Sequence, residues 1–386
     1  MGMYQILKGW GFIKPVFLGK TIKLGILEKL NAGEVLVGDG GMTHALEKRG
    51  YVKAGPYTPE CTVEHPDAVR QLHREFVRAG ADVIQAFTFS MDDDMDSSEA
   101  KHGAIKINQA ACELAKSVAQ EAGVFFAGSI CQTASLYSQG AGKETVTKKF
   151  REQIGIFIRN DVDLIIAEFF ANVEEAEWAV EVMKSTGKPT AVTLCIGPDG
   201  DSNDVPAGEC AVRLARAGAD IIGINCRFDS NITLMAIGLM KDAFGKEGLK
   251  PHLMAQPAGY HTPDADRMGC PHLPESPFAL ESRFVTRWDV HKYARRAYDM
   301  GVRFIGGCCG FEPYHIRAIA EELAHERGKL PAASEKHSPW GEALKRHSQP
   351  EVRARASRAY WENLKPASGR PNCPALSGPG RLGLFQ

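Results

Sequence analysis

The chain has 386 residues, 44% apolar and 24% charged, enough material for a large buried core and unlike a disordered or membrane-spanning composition. Its 46 basic and 47 acidic side chains leave a formal charge of -1, so no overall field favours nucleic acid or an anionic membrane. Ten cysteines in this length are too sparse for a disulfide scaffold, and a reducing, cytoplasmic setting fits them better.

Residues 1–23 carry Lys8, Lys14, Lys20 and Lys23 with no acid, but the apolar stretch at 16–19 is too short for a secretory segment. They read as an irregular cytoplasmic extension, with a weak mitochondrial presequence as the alternative. From residue 24 a strand followed by an amphipathic helix recurs eight times. Candidate strands are 35–41, 82–89, 124–130, 162–170, 190–197, 220–226, 252–259 and 303–310, mostly continuous apolar runs. Such runs belong to parallel strands covered on both faces. Helices at 66–79, 173–186 and 207–217 stop at Gly80, Gly187 and Gly218. The pattern predicts an α/β fold, a (β/α)8 TIM barrel over 24–323. An open doubly wound sheet is the alternative, but Asp39 in Gly38-Asp39-Gly40-Gly41 would repel the phosphate such a sheet binds after its first strand. Residues 324–370 read as a C-terminal dimerisation arm with Trp340, Trp361 and a basic stretch at 353–358; residues 371–386 read as a disordered tail.

Barrels of this kind keep their chemistry at the C-terminal ends of the strands. There lie Asp39, Thr88, Cys131, Glu168, Cys195, Cys226, Gln256, Cys308 and Cys309. The eighth run, RFIGGCCG, ends in vicinal cysteines that can converge on one ion only where the backbone leaves the pleat, which Gly306, Gly307 and Gly310 permit. Cys226 closes the sixth run, DIIGINC. Strands two apart are separated by about 10 Å, a gap that Zn–S bonds of ~2.3 Å and two inward-leaning side chains can close. Three thiolates with a vacant fourth position suit zinc that binds a substrate thiol and keeps it nucleophilic for alkyl transfer. Isolated cysteines such as Cys112, Cys195 and Cys210 are packing residues by default. A different site on Cys270 and His272 offers only two ligands on a Pro-rich loop. Asp39 and Glu168 are suited to a substrate ammonium, and the amides of Gly40 and Gly41 to its carboxylate.

The segments VLVGDGG, LEKRGYVKAGP, EHPDAVRQLHREF, GINC, ESRFVTRWD and FIGGCCGFEPYHIRAIAEEL resemble the homocysteine S-methyltransferase family. SEKHSPWG and RAYWENLKPASGRP narrow the resemblance to its betaine-homocysteine branch, over about residues 24–371. The resemblance implies one Zn2+ per subunit on Cys226, Cys308 and Cys309, homocysteine bound to it through sulfur, and Asp39 and Glu168 near the amino group. It also implies that Gln256 and His347 help to hold the methyl donor, and that the protein is a homo-oligomer, a dimer or tetramer. The donor site departs from the branch: Tyr57 stands where betaine users have tryptophan, Ser90 and Phe169 where they have tyrosine, Ala86 where they have threonine. Losing aromatic faces weakens the hold on a quaternary ammonium by about 1–2 kcal/mol. Betaine is the expected donor, S-methylmethionine the alternative, and a catalytically silent interaction or storage protein the reading of another class. The long terminal helix of full-length members is missing, which bears on the tetramer more than the dimer.

Overall fold

The computed structural model describes residues 24–55, 58–88, 101–335 and 342–362. Among these, eight parallel strands form one sheet: β1 Leu36–Val37, β2 Val83–Gln85, β3 Phe125–Cys131, β4 Leu164–Phe170, β5 Thr190–Leu194, β6 Ile221–Cys226, β7 His252–Pro257 and β8 Phe304–Ile305. The order β1-β8-β7-β6-β5-β4-β3-β2 makes this the expected barrel rather than a doubly wound sheet. Every predicted strand is present, but the first and last are only two residues long. Past β8 the glycine loop stays tied to its neighbours: Gly307 N–H donates to Asp39 C=O at 3.1 Å and Cys308 N–H to Pro257 C=O, at the end of β7, at 2.9 Å.

The continuous apolar runs have a simple cause. Alternate residues of each strand enter two different buried layers. Leu36, Leu164, Ile166, Ile221, Met254 and Phe304 fill the barrel, while Val37, Ile165, Ile222, Ala255 and Ile305 pack under the helices. Ile26 and Leu30, on the helix Ile26–Asn31, join the inner layer. The helices Pro66–Ala79 and Ala207–Ala217 have the predicted bounds, each ended by a left-handed glycine, Gly80 (φ 114°) and Gly218 (φ 103°). Val173–Lys184 stops two residues before the predicted end.

β1 and β2 do not form a ladder, so the ring closes there through Asp82. Its N–H donates to Val37 C=O at 2.7 Å, and its carboxylate accepts from Val37 N–H at 3.0 Å. Arg327 and Lys329, beyond the last barrel helix, pair with that carboxylate at 2.9 and 2.8 Å. Farther on, Arg358 bonds Glu322 at 3.3 Å, which holds residues 342–362 against the barrel. No helix of the described residues is long and apolar enough to cross a membrane.

Arg327 is a buried cation serving the open seam, and without it Asp82 keeps only the exposed Lys329 and the Val37 amide as partners. Arg327→Met is expected to lower unfolding free energy by about 3 kcal/mol, read from denaturant midpoints. A midpoint equal to wild type would show that the helices alone hold the seam.

Candidate active site

A cavity of about 410 Å³ opens at the C-terminal ends of the strands. Its walls come from the ends of β1, β2, β4, β6 and β7, the glycine loop after β8, and residues 270–280. That last wall is pinned from behind by Arg283, which is fully buried and pairs with Asp264 at 2.7 Å and Glu275 at 2.9 Å. A buried guanidinium with two carboxylate partners fixes loop geometry that apolar packing would leave loose.

At the base of the cavity the sulfurs of Cys226, Cys308 and Cys309 lie within 4.8 Å of one another. Tetrahedral zinc with bonds of ~2.3 Å asks for sulfurs about 3.8 Å apart, so these three need only a small contraction. The convergence has a backbone origin. Cys226 and Arg227 adopt left-handed conformations (φ 55° and 50°), which lifts Cys226 out of the β6 pleat. On the other side, Gly307 has no room for a side chain, since a Cβ would overlap the Phe311 ring at 2.0 Å, and Gly310 is left-handed at φ 85°. β7 runs between the two groups, as the strand count required.

Without metal the three sulfurs share protons. Hydrogen bonds from Cys308 and Cys309 hold the Cys226 thiol well below its ordinary pKa, and the same contacts push Cys308 up. A clustered, partly ionised thiol set matches the chemistry of a cation that prefers sulfur. Asn225, the residue before Cys226, links the set to the rest of the site. Its Oδ1 accepts from Phe169 N–H at 2.9 Å and Thr193 O–H at 3.0 Å; its Nδ2 lies 3.3 Å from Glu168 and 4.0 Å from the Cys308 sulfur.

Asp39 is buried in the cavity wall and Glu168 is half-buried there. Glu168 stands beside a break in the β4–β5 register, where Phe169 is left-handed at φ 65°. Burial pushes Glu168 up to about 7, against the hydrogen bond from Ser129 that lowers it, and the nearby Cys226 adds to the rise. Burial likewise pushes Asp39 up to about 8, against the Gln85 N–H it accepts at 2.8 Å, and Glu168 raises it further. Glu168 raises Asp39, and a cation beside the two carboxylates favours their ionised forms; an ammonium supplies one. Gln256, on β7, and Gln85 each present a buried side-chain oxygen with no protein partner to the same cavity.

The remaining expectations fall unevenly. Gly40 and Gly41 line the cavity, but Gly41 N–H already donates to Phe311 C=O at 3.0 Å, which leaves it no proton for a carboxylate. Ala86 and Phe169 form part of the apolar wall. Tyr57, Ser90 and Trp340 lie outside the described residues. His347 is exposed, its ring accepting Gln349 N–H at 3.2 Å, and is no part of the cavity wall of its own chain. Cys112, Cys195 and Cys210 are fully buried, Cys112 and Cys210 within the apolar core. Cys270 lines the cavity while His272 turns to exposed Asp266 at 3.0 Å, so the pair does not form a second metal site. Four site residues escaped the sequence reading: Asn225, Ser129, Gln85 and His44. Asn225 was visible inside GINC, but only the packed strands show what it joins.

Two measurements follow from this geometry. Because Glu168 has a folded pKa above its ordinary 4.5, the folded state favours its protonated form, and that stability is lost as pH rises through about 7. In metal-free protein, Glu168→Gln is expected to flatten the fall of the denaturant midpoint across that window; an unchanged slope would remove this acid from the account. Asn225→Ala is expected to weaken zinc retention by about tenfold in chelator competition, since outer partners orient the ligating groups. Equal retention would confine Asn225 to backbone support.

Residues 36–323 match the sequence model described as homocysteine S-methyltransferase. Betaine–homocysteine S-methyltransferase 1 from Danio rerio is 58% identical over 94% of this chain and 91% of its own length. S-methylmethionine–homocysteine S-methyltransferase from Pongo abelii is 59% identical over 92% and 97%. The metallated homocysteine methyltransferase MmuM from Escherichia coli shares the fold, with TM-score 0.59 and 19% identity over 75% of this chain and 96% of that one. A barrel with converging thiols at its mouth, a family match over most of the barrel and relatives at this identity together place the chain in the homocysteine S-methyltransferase family.

Proposed function

We propose that the protein transfers a methyl group from betaine to homocysteine, giving methionine and dimethylglycine, with one zinc per subunit on Cys226, Cys308 and Cys309. The observation that carries this reading is the convergence of three thiols beside two carboxylates. Zinc held there keeps an incoming thiol deprotonated at neutral pH and leaves its sulfur nucleophilic. Asp39 and Glu168 receive the homocysteine ammonium and so aim its sulfur at the thiol cluster. The sulfur electron pair attacks a donor methyl carbon as the carbon–nitrogen bond breaks, and that bonding pair leaves on dimethylglycine. No general base acts on carbon. The acid-rich cavity favours a cationic donor over a neutral one, and its largely apolar wall disfavours water that would solvate the attacking sulfur.

Betaine is supported by relatives 57–59% identical over most of this chain, named for that donor. S-methylmethionine is the second reading, because relatives named for it are equally similar and because Ala86 and the hydroxyl-free Phe169 line the cavity. We further read residues 324–370 as an arm that joins two copies, with His347 delivered by it to a donor, and the setting as cytoplasmic.

The deciding experiment follows methionine formation by purified protein with betaine and S-methylmethionine at equal concentration, alongside zinc content. Faster turnover with betaine is expected. Bound zinc with no turnover from either donor would instead mark a catalytically silent relative. Cys308→Ala is expected to lose both zinc and activity; a metal-free variant that still turns over would defeat the mechanism.

A further inference from the structure

Both substrates of the proposed reaction carry a carboxylate, and the cavity that must admit them is already rich in acid. Asp39, Glu168 and four thiols line it, yet among its described lining residues there is no lysine or arginine. The single basic side chain in that wall is His44. With the Gly41 amide committed to Phe311, a carboxylate entering here has few donors to choose from.

His44 is half-buried on the short helix Met42–Lys48, five residues beyond Asp39. Its Nδ1 lies 2.5 Å from the Tyr260 hydroxyl. Tyr260 is closely packed: its ring is buried, stacks on Phe284 at 5.2 Å between centroids, and sits against Gly310. Burial keeps the Tyr260 proton in place far above the usual phenol range, so the hydroxyl has a proton to give and Nδ1 is its acceptor. The ring then carries its own proton on Nε2. Burial favours neutral imidazole and neighbouring Cys226 favours the cation, and Nε2 keeps a proton in either form.

We propose that His44, oriented by Tyr260, is a specificity residue whose Nε2–H receives a substrate carboxylate in this cavity. The proposal rests on the methyl-transfer reading for the identity of the substrates. The carboxylate belongs either to homocysteine or to the methyl donor, and the two sources separate experimentally.

Calorimetric titration of zinc-loaded protein with homocysteine and with 3-aminopropane-1-thiol, which lacks only the carboxylate, tests the first source. His44→Phe is expected to reduce the affinity ratio between the two thiols about tenfold, and His44→Gln, which retains an N–H donor, to recover part of it. If the ratio holds but the turnover preference for betaine over tetramethylammonium falls instead, the donor carboxylate is the partner. Both ratios unchanged in a folded, zinc-replete His44→Phe would overturn the proposal. Should that variant lose zinc, Tyr260→Phe takes its place, with about a threefold fall expected and no change overturning it. Wild-type protein that binds homocysteine without making methionine from betaine would sink the betaine reading alone. The titration would still decide His44, and the donor comparison would then use S-methylmethionine against trimethylsulfonium.

Discussion

Three sulfurs from two strand ends meet because the backbone abandons regular β-geometry at both places. Cys226 does so by entering the left-handed region, which a β-carbon-bearing residue occupies at a cost of about 1–2 kcal/mol. The other pair does so on a loop whose glycines leave room for Phe311 and Tyr260. In an ideal strand Cys308 and Cys309 would face opposite sides, and the cluster would not exist. The contacts around them resist a return to the pleat: Cys308 N–H is held by Pro257 C=O, Gly259 N–H by Cys309 C=O, and Phe169 N–H by Asn225. Strain sits where the chemistry is, and the barrel's two buried layers supply the rigidity that retains it.

The same region is electrostatically unfavourable when empty of cations. Asp39, Glu168 and the thiols crowd one another, and each feels the next as a like charge. Desolvation worsens this, because a carboxylate removed from water resists ionisation. An ammonium, a divalent metal ion and a cationic methyl donor are therefore welcomed by one common field, while the carboxylates of those substrates are not. That asymmetry is what makes the lone basic side chain in the wall, and the tyrosine that orients it, chemically consequential.

The donor end of the cavity is where similarity to relatives gives least guidance. Relatives named for two different donors are 58% and 59% identical to the chain, so overall identity does not separate them. Of the substituted positions, Ala86 and Phe169 line the cavity.

Much of this was legible in residue order. Strand-then-helix repetition, apolar runs without alternation and glycine stops specify parallel strands covered on both faces, and eight such units have one economical closure. The placement of Cys226, Cys308, Cys309, Asp39 and Glu168 at strand ends follows from the same count. What residue order left undecided were features created by contacts between distant segments. The first and last strands end after two residues, and past β8 the Gly307 and Cys308 amides go to Asp39 C=O and to Pro257 C=O at the end of β7. Gly41 is lost as a donor because Phe311, far along the chain, takes its proton. His44 gains a fixed orientation only when Tyr260 packs beside it, and Asn225 becomes a hub only when β4, β5 and β6 are side by side. Local pattern determines which elements form, since periodicity acts through near neighbours; hydrogen-bond ownership is settled by whichever partners the closed barrel brings together.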